Sequence, residues 1–489
     1  MLYRRMSYVV KQGSTHSDAF LSTVGILAGD SASPGLWNLY FSDLCIPPRA
    51  GDVFLDGICV SHVEQADDVA LFSMAWRDLQ KHMDTFSTWC KVNFVVISAA
   101  KTKCMVFGGP ADADFGINVD GLPLDIVTSY KYVGVTIRSD HRNMFATHYV
   151  IKASKGASVG RAAFSVESIV GSLPVRDGKT IYFARVDPHL IAGCEVVLDM
   201  DTDALKLLIN SQTSFIRRLF GVGSQSILAP LHTETGILPI AFRRLLLALG
   251  YLRYLLMLSP AHLAGAAMRD SMALANASKP GWINDLRIII GRLCPSLTHV
   301  WERLQYLDGV ATLINGVECA AADMLRHDLM NDHRLILLQG QGAGGGSGPL
   351  PKTHRSYLDV HIPAHRKALT RLMLSEHPLA IEQLRRTSRY RPRIDRNLRI
   401  CRLCRAAVED EVHVLLHCDG DDDLVQLRSE FLAGLRCTMP RLERTWDKEF
   451  IQRVVAGPPA AVASFARFVH RAFLRVTATP LLLPSFADD

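Results

Sequence analysis

Ile58-Cys-Val-Ser-His-Val-Glu-Gln65-Ala-Asp67-Asp68-Val-Ala-Leu-Phe72 decides how the first part of this chain is read. β-Branched and apolar residues flank a short acidic break, which predicts two strands, over 58–66 and 69–73, folded back on each other. Asp67 and Asp68 then form the two-residue connection. Such a connection needs positive φ at its centre and ordinarily takes Asn-Gly or Asp-Gly. Two adjacent aspartates bring no glycine and repel each other, and departures of this kind concentrate at functional sites. Two carboxylates at a tight apex suit Mg²⁺ or Mn²⁺, hard cations that prefer oxygen ligands. A lone Asp-Asp is also compatible with an ordinary solvated turn.

Outward from the hairpin, the first 138 residues read as mixed α/β. Short β-rich runs recur at Ile58 to Val60, Val69 to Phe72, Phe94 to Ile97, Cys104 to Phe107 and Tyr130 to Ile137. Trp76, Leu79, Met83, Phe86 and Cys90 follow steps of three and four, one face of an amphipathic helix. Asp120-Gly121 between apolar runs predicts a second hairpin. Upstream, Gly25 and Gly29 lie in a loop that runs into Ser33-Pro34, with Ser33 as N-cap and Pro34 as first helical residue. From about His148 to His333 the periodicity is helical. Leu245 to Leu258, interrupted by Gly250 and Arg253, reads as a core helix because a spanning helix needs about 20 apolar residues. Gln339 to Pro351 (QGQGAGGGSGPLP) reads as a linker, and Val462, Phe465, Val469 and Phe473 mark one helix in the tail.

The chain has 489 residues, enough for about three domains, with 48 % hydrophobic and 21 % charged side chains. These shares exclude collagen, coiled coil and wholesale disorder. Eleven scattered cysteines in a chain of this length do not read as a disulfide framework. The expected location is intracellular, the nucleus included. The net charge of +6 names no partner, but its distribution does. Lys352 to Arg405 holds 14 basic and four acidic residues, a local +10 that leaves −4 for the rest. Such asymmetry points to a polyanion.

That basic stretch meets Cys401-x2-Cys404-x8-His413-x4-Cys418. Three thiolates and one imidazole complete a tetrahedral set for structural Zn²⁺, with no position left for water. His417 is a rival for His413. Arg385, Arg386, Arg389, Arg391, Arg393, Arg396 and Arg399, with Tyr390 among them, offer phosphate-binding forks and a stacking platform. The other reading of these arginines is a solvated helix face.

The order of these features resembles the reverse transcriptases of non-LTR (LINE-type) retrotransposons, of fungal type. Gly25-x3-Gly29-x3-Ser33-Pro34 is similar to motif B, and the Asp67-Asp68 hairpin to motif C. Trp89-Cys90-x2-Asn93 with Lys101-Thr102-Lys103 is similar to motif D, and Tyr130-Lys-Tyr132-Val133-Gly134-Val to motif E. The Cys/His set looks like the terminal zinc module of the same family. Ala28 and Gln65 depart from residues usual in motifs B and C.

The resemblance implies an α+β chain: a partial palm (1–138), a helical thumb-like region and connector (139–338), a linker (339–351), a basic zinc-knuckle-like module (352–437) and a helical tail (438–489). It implies RNA-directed DNA synthesis on an RNA template with a DNA primer. Asp67 and Asp68 would be metal ligands, and Gly25, Gly29, Ser33, Pro34 and Lys101 would lie near template and nucleotide. Lys103 is a rival for Lys101. Tyr132, Val133 and Gly134 would support the primer. Before Gly25 the sequence offers one acid, Asp18, in a polar loop, so the motif A aspartate and the fingers are expected from elsewhere, for instance a second chain. Two-metal transfer needs cations ~3.5–4 Å apart with several carboxylates around them. The expectation is therefore a chain inactive alone, with no membrane and no small-molecule cofactor involved. The alternative is a non-catalytic nucleic-acid-binding protein that uses the arginine-rich zinc module.

Overall fold

A computed structural model describes residues 7–21, 25–27, 29–109, 115–339, 354–387 and 392–483. The fold is mixed helix and strand, 54 % helical. It divides into two compact units, residues 1–144 with 258–273, and residues 145–257 with 274–489.

In the first unit the described strands pair only two by two. The amphipathic stripe forms the helix Trp76–Val92. Met83 joins Cys104, Ile117, Val119 and Leu124 in a small core, with Leu79, Phe86 and Ile97 against it. Gln80 fastens that helix to the next hairpin through both amide atoms, donating to the Asn118 carbonyl at 2.9 Å and accepting its N–H at 2.9 Å. The turn of that hairpin, Asp120-Gly121, has φ of 54° and 80°, the left-handed pair that the dipeptide predicts.

Four predicted strands are corrected. Of Cys104 to Phe107 only Cys104 lies in a strand, Lys103–Cys104, and the run expected over 58–66 is two strands, Ile58–Val60 paired with Val53–Leu55 and His62–Gln65 paired with Asp68–Leu71. Phe94 to Ile97 forms no strand: its side chains alternate between exposed and half-buried, but the N–H of Val95 returns to Cys90 at the helix end (2.8 Å). Alternation without a neighbouring strand does not make a sheet. Tyr130 to Ile137 is not one run but a hairpin, Ser129–Tyr132 against Val135–Arg138. Val133 (φ 44°) and Gly134 (φ 83°) turn it. A β-branched residue at positive φ is an outlier that sequence statistics do not anticipate.

The second unit is helical. Helices Ala146–Phe164 and Thr202–Phe220 pack closely because Gly156 and Gly160 present no Cβ: one at Gly156 would lie 3.2 Å from Ser211, and one at Gly160 3.1 Å from Phe215. Arg244, 3 % exposed, is clasped by Asp199 (2.9 Å) and by the carbonyls of Leu190 (2.8 Å) and Val197 (2.9 Å). The Leu245 to Leu258 stretch lies within and just beyond the helix Ile240–Leu256, with Leu245, Leu249, Leu252 and Leu255 buried as a core helix requires. No single helix among the described residues is long and apolar enough to cross a membrane.

Apart from Gln339, the expected linker lies outside the described residues. The segments on either side of it nevertheless share one compact unit. Arg366, buried, donates to the carbonyls of Val360 (3.0 Å) and Leu173 (3.2 Å), and Arg176 pairs with Asp359 at 2.7 Å. Gln452 donates to the carbonyl of Ile336 at 3.1 Å. The tail helix Pro459–Thr477 buries Val462, Phe465, Val469 and Phe473, the predicted stripe.

Candidate metal centre

The Cys/His cluster is built by two local devices. An antiparallel bridge between Ile400 and Val408 closes the C-x2-C loop, with the Cys401 N–H donating to the Ala407 carbonyl (2.7 Å) and the Arg405 N–H to the Cys401 carbonyl (2.9 Å). The second device is the short wide turn His413–His417, started by Asp410, which accepts the His413 N–H at 2.9 Å. Its end returns the chain to the loop, and there Gly420 touches the backbone of Cys404 so closely that a Cβ would lie 2.5 Å from Cys404 Cα.

The ligand atoms of Cys401, Cys404, His413 and Cys418 all lie within 4.8 Å of one another. Cys401 Sγ is 3.7 Å from Cys418 Sγ, and Cys404 Sγ is 3.3 Å from His413 Nε2. Two thiolates held at about 2.3 Å from one ion, at tetrahedral angles, lie about 3.8 Å apart. A disulfide would bring them to about 2.05 Å. The group can thus hold a metal ion such as zinc. Protonation follows the same geometry. The hydrogen bond between the two sulfurs pushes Cys401 up to about 12 and holds Cys418 below the usual thiol range. His413 is raised by its contact with Cys401. An ion at the centre would replace the proton these groups share. The rival His417 points elsewhere, its Nε2 donating to the Trp446 carbonyl at 2.8 Å.

Sequence reasoning missed what surrounds these ligands. Arg402, inside the C-x2-C loop, is buried against Glu409 (2.7 Å) and donates to the carbonyls of Pro378 (3.0 Å) and Thr479 (3.1 Å). Arg428 donates to the carbonyls of Cys418 (2.5 Å) and Leu415 (3.0 Å). Neither role has a sequence signal, because both depend on residues brought together from distant segments.

Of the five predicted arginines among the described residues, Arg399 is spent inside the fold, Arg385 is half-buried, and Arg386, Arg393 and Arg396 are exposed. Arg399, 4 % exposed, gives its donors to the carbonyls of Ile394 (2.8 and 2.9 Å) and Ile381 (2.8 Å), so it is a structural residue and not a surface contact. Arg385 pairs with Glu382 at 2.8 Å and Arg386 with Glu376 at 2.8 Å. Arg396 approaches Asp410 at 3.7 Å. Arg393 is exposed and makes no side-chain bond among the described residues. Arg389, Tyr390 and Arg391 lie outside the described residues.

In the first unit, the acidic hairpin forms between His62–Gln65 and Asp68–Leu71. Its turn is Ala66-Asp67, one residue earlier than expected, and Asp68 is the first strand residue, opposite Gln65. Ala66 takes the positive φ (55°) that glycine would otherwise supply. Asp67 and Asp68 are exposed. Among the described residues, no third Cys, His, Asp or Glu joins them in a metal-holding group.

Ser33 also moves by one. It is the first helical residue, Ala32 precedes it as N-cap, and Pro34 is second. The Ser33 hydroxyl donates to the Leu27 carbonyl at 2.6 Å instead of capping. Gly25 and Gly29 have φ of 92° and 87°, so both need glycine for conformation.

The separated segments converge in space. Trp37, on the helix Ser33–Phe41, donates to the Ala66 carbonyl at the hairpin turn (2.8 Å). Tyr40 donates to the Asn93 carbonyl, and the Phe41 and Trp89 rings lie 4.8 Å apart. Tyr130 reaches the Lys101 carbonyl at 3.5 Å. Burial, with the Asp68 charge nearby, pushes the Tyr132 phenol up. Lys103 is held by Asp125 at 2.5 Å, which leaves the exposed Lys101 as the available lysine of the pair.

A buried pair that no motif announced lies in the same unit. His82 Nε2 meets Asp52 Oδ1 at 2.6 Å with both side chains fully buried, and Cys59 Sγ donates to Asp52 Oδ2 at 3.3 Å. Burial works to raise the Asp52 carboxyl, yet bonds from His82 and from the Arg49 N–H hold it below the usual range. No protein-family model matches the chain, and no curated protein matches it.

Proposed function

We propose that the chain is part of a LINE-type reverse transcriptase, with the later palm and primer-support elements in residues 1–138 and a structural zinc knuckle at Cys401, Cys404, His413 and Cys418. One observation carries this reading. Four stretches that resemble motifs B, C, D and E, spread over more than a hundred residues, touch one another in turn: Trp37 and Tyr132 lie at the acidic hairpin, Tyr40 and Phe41 reach Asn93 and Trp89, and Tyr130 reaches Lys101. Asp67 and Asp68 are then cation ligands that await a third carboxylate, because two exposed aspartates cannot balance two close divalent ions. Zinc, bound by the knuckle, would serve folding rather than chemistry.

The test is extension of an annealed DNA primer on an RNA template by the purified chain, with Mg²⁺ or Mn²⁺. No extension is expected from this chain alone. Activity should appear when a segment carrying the complementary aspartate strand and fingers is added, and should vanish again in Asp67→Asn. Extension by the chain unaided would overturn the reading of an incomplete cation clamp.

Exposed Arg393 and Arg396 beside the knuckle favour a second reading, a nucleic-acid-binding role without catalysis. Binding of a labelled single-stranded RNA at low salt, weakening steeply as salt rises, would support it.

A further inference from the structure

Part of the positive excess between Lys352 and Arg405 emerges at a place that the arginine run does not mark. The helix Pro363–Met373 contains no acidic residue. Its Arg366 turns inward, whereas Lys367 and Arg371, one turn apart, lie against residues 221–226, the loop that follows the helix Thr202–Phe220. Arg371 is exposed and donates through Nε to the Gly221 carbonyl at 2.9 Å, which leaves its terminal amino groups without a partner among the described residues. The Lys367 stem runs alongside, with Cδ and Cε 3.4 Å from where a Cβ on Gly221 would stand, and its ammonium makes no bond among the described residues. From within the preceding helix, Arg217 donates to the Ser226 hydroxyl (3.1 Å) and carbonyl (3.0 Å) and pins the end of the loop.

The loop adds donors of its own. Gly223, Ser224 and Gln225 are exposed, and among the described residues their three consecutive N–H groups donate to no protein acceptor. Successive free N–H groups beside cations attract anions. One carboxylate faces the loop, that of Glu376, whose Oε2 lies 3.2 Å from where a Cβ on Gly223 would stand. Its other oxygen is already held by Arg386 at 2.8 Å. Cations from two distant segments thus gather on one glycine- and serine-rich loop whose nearby acid is paired.

We propose that residues 221–226, with Lys367 and Arg371, contact the sugar–phosphate backbone of single-stranded RNA. This rests on the nucleic-acid-binding reading above and adds a surface to it. A guanidinium and an ammonium with free donors complement phosphate oxygens. A face built for an acidic membrane joins its cations to apolar anchors, whereas this loop presents backbone and hydroxyl donors, with half-buried Val222 its one aliphatic residue.

The experiment titrates the full chain with a fluorescently labelled single-stranded RNA at several salt concentrations. The wild type should bind. The double variant Lys367→Gln, Arg371→Gln should bind about tenfold more weakly and lower the log–log salt slope by about 0.7 for each lost contact. Ser224→Glu places a carboxylate at an exposed loop position and should weaken binding likewise; it is the second variant should the double one fold poorly. Lys155→Gln, which neutralises an exposed cation on the helix Ala146–Phe164, should change affinity less than about twofold. No RNA binding by the wild type at low salt would sink both this inference and the reading beneath it. RNA binding that both loop variants leave untouched, or that Lys155→Gln weakens equally, would overturn the inference alone. So would adsorption to phosphatidylserine vesicles that the loop variants abolish while RNA binding stays unchanged, because the partner would then be an acidic membrane.

Discussion

Gly420→Ala is the sharpest probe of the knuckle, because it adds one methyl and removes no ligand. The added Cβ would lie 2.5 Å from both Cα and N of Cys404 and 2.7 Å from its Cβ. Ordinary van der Waals contact begins near 3.4 Å. The two strands of backbone must therefore separate by about 0.9 Å. A flexible side chain could swing aside, but Cys404 is met at its backbone, and its sulfur moves with it. Metal–ligand distances tolerate only about ±0.2 Å. Overpacking of this kind costs about 1–3 kcal/mol. The free-energy cost corresponds to roughly a 5- to 150-fold loss of metal affinity. The assay is competition for Zn²⁺ against a chromophoric chelator. Co²⁺ substitution would report separately whether the three-sulfur, one-nitrogen tetrahedral set survives. A variant that bound zinc as tightly as the wild type, with an unchanged Co²⁺ spectrum, would show that Cys404 and Gly420 are not packed as described.

Four further outcomes follow from the structure. Burial lowers His232 to about 4, and its ring donates through Nδ1 to the Ile237 carbonyl (2.9 Å), so it stays neutral in the fold while the unfolded chain takes up a proton near pH 6.5. Stability should therefore fall as pH drops from about 6.5 towards 4, by about 2 kcal/mol between pH 7 and 5; urea midpoints check this, and a pH response no flatter in His232→Gln would refute it. Arg399→Ala should destabilise the fold by about 1–3 kcal/mol by orphaning the Ile381 and Ile394 carbonyls, with oligonucleotide affinity unchanged in the folded fraction. Arg393→Ala should do the opposite, leaving the melt intact and reducing the salt slope by about 0.7 per lost phosphate contact on a single strand. The Asp67-Asp68 turn should bind Mn²⁺ no more tightly than roughly millimolar, as read by water-proton relaxation, and a micromolar site lost in Asp68→Asn would mean that a third ligand is present.

What could be read from the sequence divides along a physical line. Features set by neighbours in the chain were legible: the Trp76–Val92 stripe, the Asp120-Gly121 hairpin, the tail helix and the C-x2-C loop with its later His and Cys. Errors of one residue at Ser33 and at the Ala66-Asp67 turn arose because propensity does not fix which residue takes a special φ. Ala66 accepts positive φ where the sequence rule asks for glycine, and the Trp37 indole bonded to its carbonyl is a tertiary contact that local rules cannot contain. Asp52 and His82, 30 residues apart, were invisible for the same reason. His82 belongs to the buried side of its helix, where the pattern predicts apolar residues.

Charge shows the limit most clearly. The segment from Lys352 to Arg405 counts +10 in the sequence, and the inference to a polyanion assumed that its arginines face solvent. A linear count cannot see partners from outside the segment or backbone carbonyls. Glu409 and Asp410, just beyond it, approach Arg402 and Arg396; Glu376 and Glu382, within it, pair with Arg386 and Arg385; Arg399 uses carbonyls alone. Buried, doubly held guanidiniums such as Arg399 and Arg402 are poor phosphate ligands, because exposing them would leave buried acceptors unpaired. Nucleic-acid affinity, if measured, must come from fewer arginines than the sequence offers. Its salt dependence should then be shallower than seven contacts would produce, which is the quantity that separates a surface used for binding from a core that happens to be rich in arginine.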